Sequence, residues 1–310
     1  MTEASPVVGP AVRTSVVWFR RDLRLADNPA WAAATAEADR VVALFVVDRR
    51  PLDEAGPRRR DLLAAHLTEL DSALRARGGG LYVVRDEPQR AVPEVVARTG
   101  ATAVHVNADV SGYARRRDAA VRAALGGVRL VEHWGTLLRP PGSVVSPSTG
   151  EVHKVFTPFW KAWAATPLAP WPDPGAATVW LPEGGEDVPR PGAAPVMAGG
   201  EEAAAARLAD WLERVDEYPD RRDLPADDDG TSHLSADLRF GTLSPRHVAE
   251  VVGDGSKGRS GFVRQLAWRE WYAHLLHERP ELARAAMKPE MDDIVWRDAP
   301  EDLARGVEVG

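Results

Sequence analysis

Gln265, Trp268, Arg269 and Tyr272 fall at i, i+3, i+4 and i+7, a spacing that gathers them on one side of a helix. Two large aromatics, an amide and a guanidinium on one face suit stacking on a planar ring system. The Arg would then reach a phosphate and the Gln a base or ring edge. The same pattern also describes an amphipathic helix whose Arg snorkels outward. Upstream, Tyr218, Arg222 and the hydroxyls of Thr231, Ser232 and Ser235 surround GTSHLS, a turn-like stretch beside DDDG. Small hydroxyls and free backbone N–H groups are what a phosphate needs where there is no glycine-rich loop; a capped helix start reads the same way. A third polar group, Arg20, Arg21, Asp22 and Arg24, follows the first apolar run. It would lie at the carboxyl edge of a sheet, where doubly wound folds bind ligands, although a charged strand-to-loop edge is also an ordinary surface. No G-x-G-x-x-G follows that run and no G-x-x-x-x-G-K-[ST] occurs, which argues against common dinucleotide and P-loop sites. His274 and His277 are three apart with no third ligand near, so both read as structural and no metal site is expected.

The elements that must position these groups divide the chain in two. Near-continuous apolar, β-branched runs at Val16–Phe19, Val41–Val47, Leu81–Val84, Ala103–Val106 and Val128–Val131 predict strands buried on both faces. Leu63, Leu67, Leu70 and Leu74 mark one side of a helix over Arg58–Arg77, stopped by three glycines, and Asp118–Leu125 reads as another helix. The alternation predicts an α/β fold with an N-terminal, doubly wound, Rossmann-like parallel sheet. Residues 136 to about 200 are rich in Pro and Gly, and five of the eleven tryptophans fall between Trp134 and Trp180. They read as a connector pinned by its indoles. From Glu201 the pattern is helical: EEAAAARLADWLER, then PRHVAEVV opened by Ser244–Pro245, then Phe262–Glu278. The expected organisation is a disordered lead-in over 1–12, an α/β domain over 13–137, a connector over 138–200 and an incomplete all-helical domain over 201–310.

Composition narrows the chemistry. With 310 residues, 44% apolar and 27% charged, the chain has the make-up of a globular protein of about two domains. It has no cysteine, which excludes disulfides, thiolate catalysis and zinc–sulfur sites and suits a cytoplasmic protein. No apolar run approaches the ~20 residues of a membrane span. A net charge of −7 argues against a uniformly basic nucleic-acid coat, while leaving room for a local basic groove.

Read in order, VVWFRRDLRLADN (Val16–Asn28), KVFTPFW (Lys154–Trp160), GTSHLSADLRFGTLSPR (Gly230–Arg246) and WREWY (Trp268–Tyr272) resemble the DNA photolyase/cryptochrome family, over essentially Val16 to Trp296. The resemblance implies FAD held in the helical domain, a monomer, UV-damaged DNA as partner, and a carbon–carbon lyase that repairs cyclobutane pyrimidine dimers by light-driven electron transfer. Carried over, Tyr218 lies against FAD, while Thr231, Ser232, His233, Leu234 and Ser235 hold its phosphates. Arg269 supplies a cation to the same diphosphate, with Gln265 and Tyr272 also in the cofactor site. Trp268 becomes the catalytic platform for a flipped dimer, Arg222 contacts a DNA phosphate, and Gln265 hydrogen-bonds the lesion where some relatives have Glu. Folate-antenna members have an Asn–Glu pair where this chain has Tyr113–Ala114. That speaks against folate and leaves a deazaflavin or no antenna. After WRDAPEDLA the family pattern would run on through W-x-x-G-x-T-G-x-P, whereas this chain reads ARGVEVG. The expectation is therefore a truncated chain that, alone, binds FAD weakly or not at all and repairs nothing. A cryptochrome-like photoreceptor and a non-catalytic pigment-binding α/β module remain the alternatives.

Overall fold

The computed structural model describes residues 12–192, 197–295 and 300–301. The expected lead-in, apart from Val12, and the sequence around Trp296 and beyond Glu301 lie outside them. Five of the six parallel strands described in the sheet run side by side: β1 (Thr14–Phe19), β2 (Arg40–Val46), β3 (Leu81–Val84), β4 (Ala103–Asn107) and β5 (Arg129–His133), in the order β3-β2-β1-β4-β5. Parallel neighbours need crossovers, which come from α1 (Pro29–Glu37), α2 (Arg49–Asp53) with α3 (Pro57–Arg75), α4 (Pro88–Thr99) and α5 (Gly112–Ala124). Both sheet faces are covered. Val17, Phe19 and Val41 share one cluster with Trp31 of α1 and Leu67, Leu70 and Leu74 of α3. Val16, Trp18 and Val42 share the other with Val92 and Val95 of α4 and Val121 of α5. Each fully buried Leu or Val contributes about 1.5–3 kcal/mol. β1, buried along all six residues, is the central strand because its neighbours on both sides exclude water. The chain reverses its direction of travel across the sheet between β1 and β4, so a crevice opens beyond the carboxyl ends of those two strands.

The connector is more structured than its prolines suggest. KVFTPFW enters a helix, α6 (Phe156–Ala165), because Pro158 falls in the first turn, where no intrahelical N–H bond is lost. A two-residue strand, β6 (Thr178–Val179), then pairs with the start of β2. The helical region comprises α7 (Gly200–Leu212), α8 (Tyr218–Arg221), α9 (Ser235–Phe240), α10 (Pro245–Val252) and α11 (Lys257–Glu278). α11 begins five residues before the expected start. Ser256 caps it by accepting from Arg259 N at 3.1 Å. Gly258 and Gly261, which lower helix propensity, obscured that first turn; Gly258 is required because a Cβ there would overlap Val215 O and Asp216. Among the described residues no helix is long and apolar enough to cross a membrane.

Candidate functional site

The loop after β1 spends its charges on the fold. Arg24, 1% exposed, donates to Asp27 O at 2.8 Å, Gly135 O at 2.7 Å and Gly241 O at 2.9 Å. Burial pushes its pKa down, yet a guanidinium stays protonated. One side chain thus ties the sheet edge, the connector and the helical region together. Asp22 accepts from Arg20 N at 2.7 Å and Asn107 Nδ2 at 2.6 Å. Arg20 forms a two-pronged, buried pair with Asp118 at 2.6 and 2.7 Å. Leu25 N and Ala26 N donate to the Glu201 carboxylate at 2.9 and 3.0 Å, and Leu23 N to Phe240 O at 3.0 Å. Most of this motif is therefore mortar between domains. Arg21 is the exception: its half-exposed guanidinium pairs with Asp109 at 3.0 Å and borders a cleft.

That cleft, about 280 Å³, lies between the carboxyl edge of the sheet, α9 and α11. Arg20, Arg21, Arg117, Arg239 and Arg269 line it against Asp22 and Asp109, an excess of cations that favours an anionic occupant. Arg269 donates to Thr136 O at 2.8 Å, and burial lowers its pKa. Its guanidinium thus serves the interdomain cleft, and it makes no hydrogen bond to the 231–235 loop.

The second polar region is built differently. Tyr218 is buried edge-on against Trp211 and Phe262 at 5.6 Å, and burial pushes its phenol pKa up. Arg222 lies 5.7 Å from that ring and forms an exposed pair with Asp223 at 3.4 Å, worth little in water. Leu234 anchors the following loop in the same cluster as Tyr218, Phe262 and Leu266. That anchor leaves Thr231, His233 and Ser235 exposed. His233 adopts a φ of +53°, uncommon for a residue with a Cβ. Its ring contacts Asp228 O, and Ser232 Oγ accepts from Leu234 N at 3.3 Å. Among the described residues, no acceptor meets the backbone N–H groups of Thr231, Ser232 and His233, and the hydroxyls of Thr231 and Ser235 have no partner. A loop with that many open donors is equipped to receive a phosphate.

α11 joins the two regions. Toward the connector, Glu270 is fully buried and accepts from Trp163 Nε1 at 2.7 Å, Arg139 N at 3.2 Å and Leu138 N. Burial raises its pKa against those donors. His274 Nε2 meets Arg139 O at 3.0 Å, and Trp271 Nε1 donates to His153 O at 2.7 Å. Trp268, half-buried, also packs one ring face on the connector through Phe156, while Gln265 is half-buried and Tyr272 is 60% exposed; none of the polar side-chain atoms of these three has a hydrogen-bond partner among the described residues. The structure thus leaves the polar atoms of Gln265, Trp268 and Tyr272 unpartnered among the described residues, packs Tyr218 and Leu234 with Phe262 and Leu266 in a separate cluster, and turns Arg269 toward the cleft. Sequence reasoning overlooked Glu270 and Phe156. The i, i+4 relation of Glu270 to His274 could have marked the first, whereas Phe156 reaches α11 only through tertiary packing.

The sequence profile described as DNA photolyase matches residues 15–175, more than half of the chain. The chain belongs to the DNA photolyase family. A deoxyribodipyrimidine photo-lyase of Streptomyces griseus is 38% identical over 311 residues, covering 93% of this chain and 66% of that protein. An uncharacterised 31.6 kDa protein of Synechococcus sp. (strain PCC 6716) is 35% identical and is covered over 97% of its length. The archaeal photolyase of Sulfolobus tokodaii, solved with two FAD molecules, superposes with a TM-score of 0.81 at 26% identity, over 94% of this chain and 66% of that one. The chain thus spans just under two thirds of the photo-lyases it matches.

Proposed function

We propose that this chain carries the lesion-recognising and phosphate-holding part of a deoxyribodipyrimidine photo-lyase, which repairs cyclobutane pyrimidine dimers in DNA by light-driven electron transfer. The observation that carries this reading is the accessible part of α11: a half-buried indole flanked by an unpartnered amide and an exposed phenol, on a helix whose Glu270 and Trp271 are hydrogen-bonded to the connector. The polar atoms of these three side chains are free to meet a ligand, and a base turned out of its stack is read by aromatic stacking plus hydrogen bonds to its edge. Trp268 supplies the stacking surface, and the Gln265 amide both donates to and accepts from a pyrimidine edge. Arg222 meets a backbone phosphate.

The donors of Thr231–Ser235 fit the diphosphate of an FAD, and Tyr218 closes the floor beneath it. The bound flavin would supply the photoexcited electron, while the protein's part is placement and electrostatics. The arginine lining of the cleft supports an anionic antenna pigment. A deazaflavin is favoured over a folate only by Tyr113–Ala114: the Tyr113 hydroxyl is engaged by Asp48, and Ala114 offers no polar side-chain group.

Fluorescence anisotropy with a single-stranded oligonucleotide, carrying or lacking one thymine dimer, tests the reading. The chain should prefer the dimer, and Trp268→Ala should erase the preference, a loss of roughly tenfold given ~1–3 kcal/mol per stacked base. Equal affinity of the chain for the two strands would sink it.

A further inference from the structure

The Trp268 indole does not stand alone. Phe156, the first residue of α6, stacks on it with ring centroids 3.8 Å apart and planes 15° from parallel. Trp271 closes against both rings edge-on, at 5.9 Å from Phe156 and 5.2 Å from Trp268, and is itself fixed by its bond to His153 O. Tyr272 tilts against Trp268 at 5.9 Å. A half-buried indole has two side-chain torsions and would otherwise sample several staggered rotamers; a parallel ring on one face removes that freedom. On the same stack, Arg264 places its guanidinium carbon 5.4 Å from the Phe156 centroid. Arg264 is exposed and has neither a hydrogen bond nor a carboxylate partner among the described residues, although most arginines of this chain are paired. The stack therefore ends in a free cation beside an aromatic platform, the pairing that single-stranded nucleic acid binders use for base and backbone together.

We infer that Phe156 is a positioning residue that holds Trp268 in the plane needed to receive a turned-out pyrimidine dimer, and that Arg264 contacts the phosphate next to it. This rests on the recognition role proposed for Trp268 above. The connector helix then contributes to substrate discrimination, although the family's lesion contact lies on α11.

The same anisotropy assay on the full chain decides the matter. Phe156→Leu keeps an apolar side chain of similar volume and should lower the preference for the dimer about 5–10-fold, leaving affinity for the undimerised strand unchanged. Phe156→Tyr retains the stack and should retain the preference. In a Trp268→Phe background, Phe156→Leu should have little further effect, since a positioning residue acts through the residue it positions. Arg264→Ala should weaken both strands alike and lower the slope of log affinity against log salt by about one. Full preference in Phe156→Leu, or additive losses in the double variant, would overturn the role of Phe156. If Phe156→Leu does not fold, loss of preference in a folded Phe156→Tyr overturns it instead. An unchanged salt slope would overturn that of Arg264. If the unaltered chain shows no preference at all, this inference falls together with the recognition role; a preference that is lost in Trp268→Ala but survives Phe156→Leu defeats the role of Phe156 alone.

Discussion

The loop after β1 and the loop before α9 look alike in one dimension: each is a short polar run at the end of an element, and each offers the groups that bind anions. In three dimensions they are opposites. Arg20, Asp22 and Arg24 are buried and matched to Asp118, Asn107 and three backbone carbonyls, whereas Thr231 and Ser235 keep free hydroxyls beside unmatched N–H groups. The lesson is that position at a sheet edge or a turn does not separate a candidate binding site from a joint. Hydrogen bonding within the protein does: groups consumed by buried partners cannot meet a ligand, whereas exposed groups that bond only to water can exchange it for one.

Acid gives the largest effect that would sharpen this contrast. His66, whose Nδ1 accepts from Gly200 N at 3.0 Å, and His274 are both 0% exposed, and burial lowers each from 6.5 to about 4. A histidine whose folded pKa is depressed is protonated first in the unfolded chain. Its contribution is therefore complete above about pH 6.5 and is lost as pH falls toward 4, up to about 3 kcal/mol for each group. Urea unfolding followed from pH 8 to pH 4 should show the midpoint falling through that window; a flat profile would mean that these joints are not held by neutral imidazoles. Next in size, Arg24→Ala strands three carbonyls at about 1–3 kcal/mol each, so at least about 3 kcal/mol should disappear from the same measurement. A variant of ordinary stability would break the contrast outright. The smallest effect on stability belongs to the open loop. Thr231→Ala and Ser235→Ala should each change it by less than about 0.5 kcal/mol. Whatever FAD affinity the chain has in a flavin fluorescence titration should still fall roughly tenfold in each, as expected for one hydrogen bond to a charged group. Stability loss without any change in flavin affinity would move this loop into the structural class.

Much of the fold was legible beforehand because strands buried on both faces must be continuously apolar, and Val16–Phe19 and Val41–Val47 have no other comfortable place. The helix through Leu67, Leu70 and Leu74 announced itself through its apolar spacing. α6 did not, since a run such as FTPFW reads as broken until Pro158 is seen to fall in a first turn. The start of α11 was hidden behind Gly258 and Gly261; the reason for Gly258 is a close approach to Val215 and Asp216 from elsewhere in the chain.

For the site, the sequence alone determined which side chains share a face of α11 and which loop carries hydroxyls, because both follow from local geometry within a few residues. Only the tertiary structure decided which of those groups stay unmatched. Partners 100 or more residues away consume Arg24 and Glu270, turn Arg269 into the cleft and lay Phe156 against Trp268. Local periodicity has no means of counting such partners, since a hydrogen bond or a stacked ring depends on distance in space and not on separation along the chain.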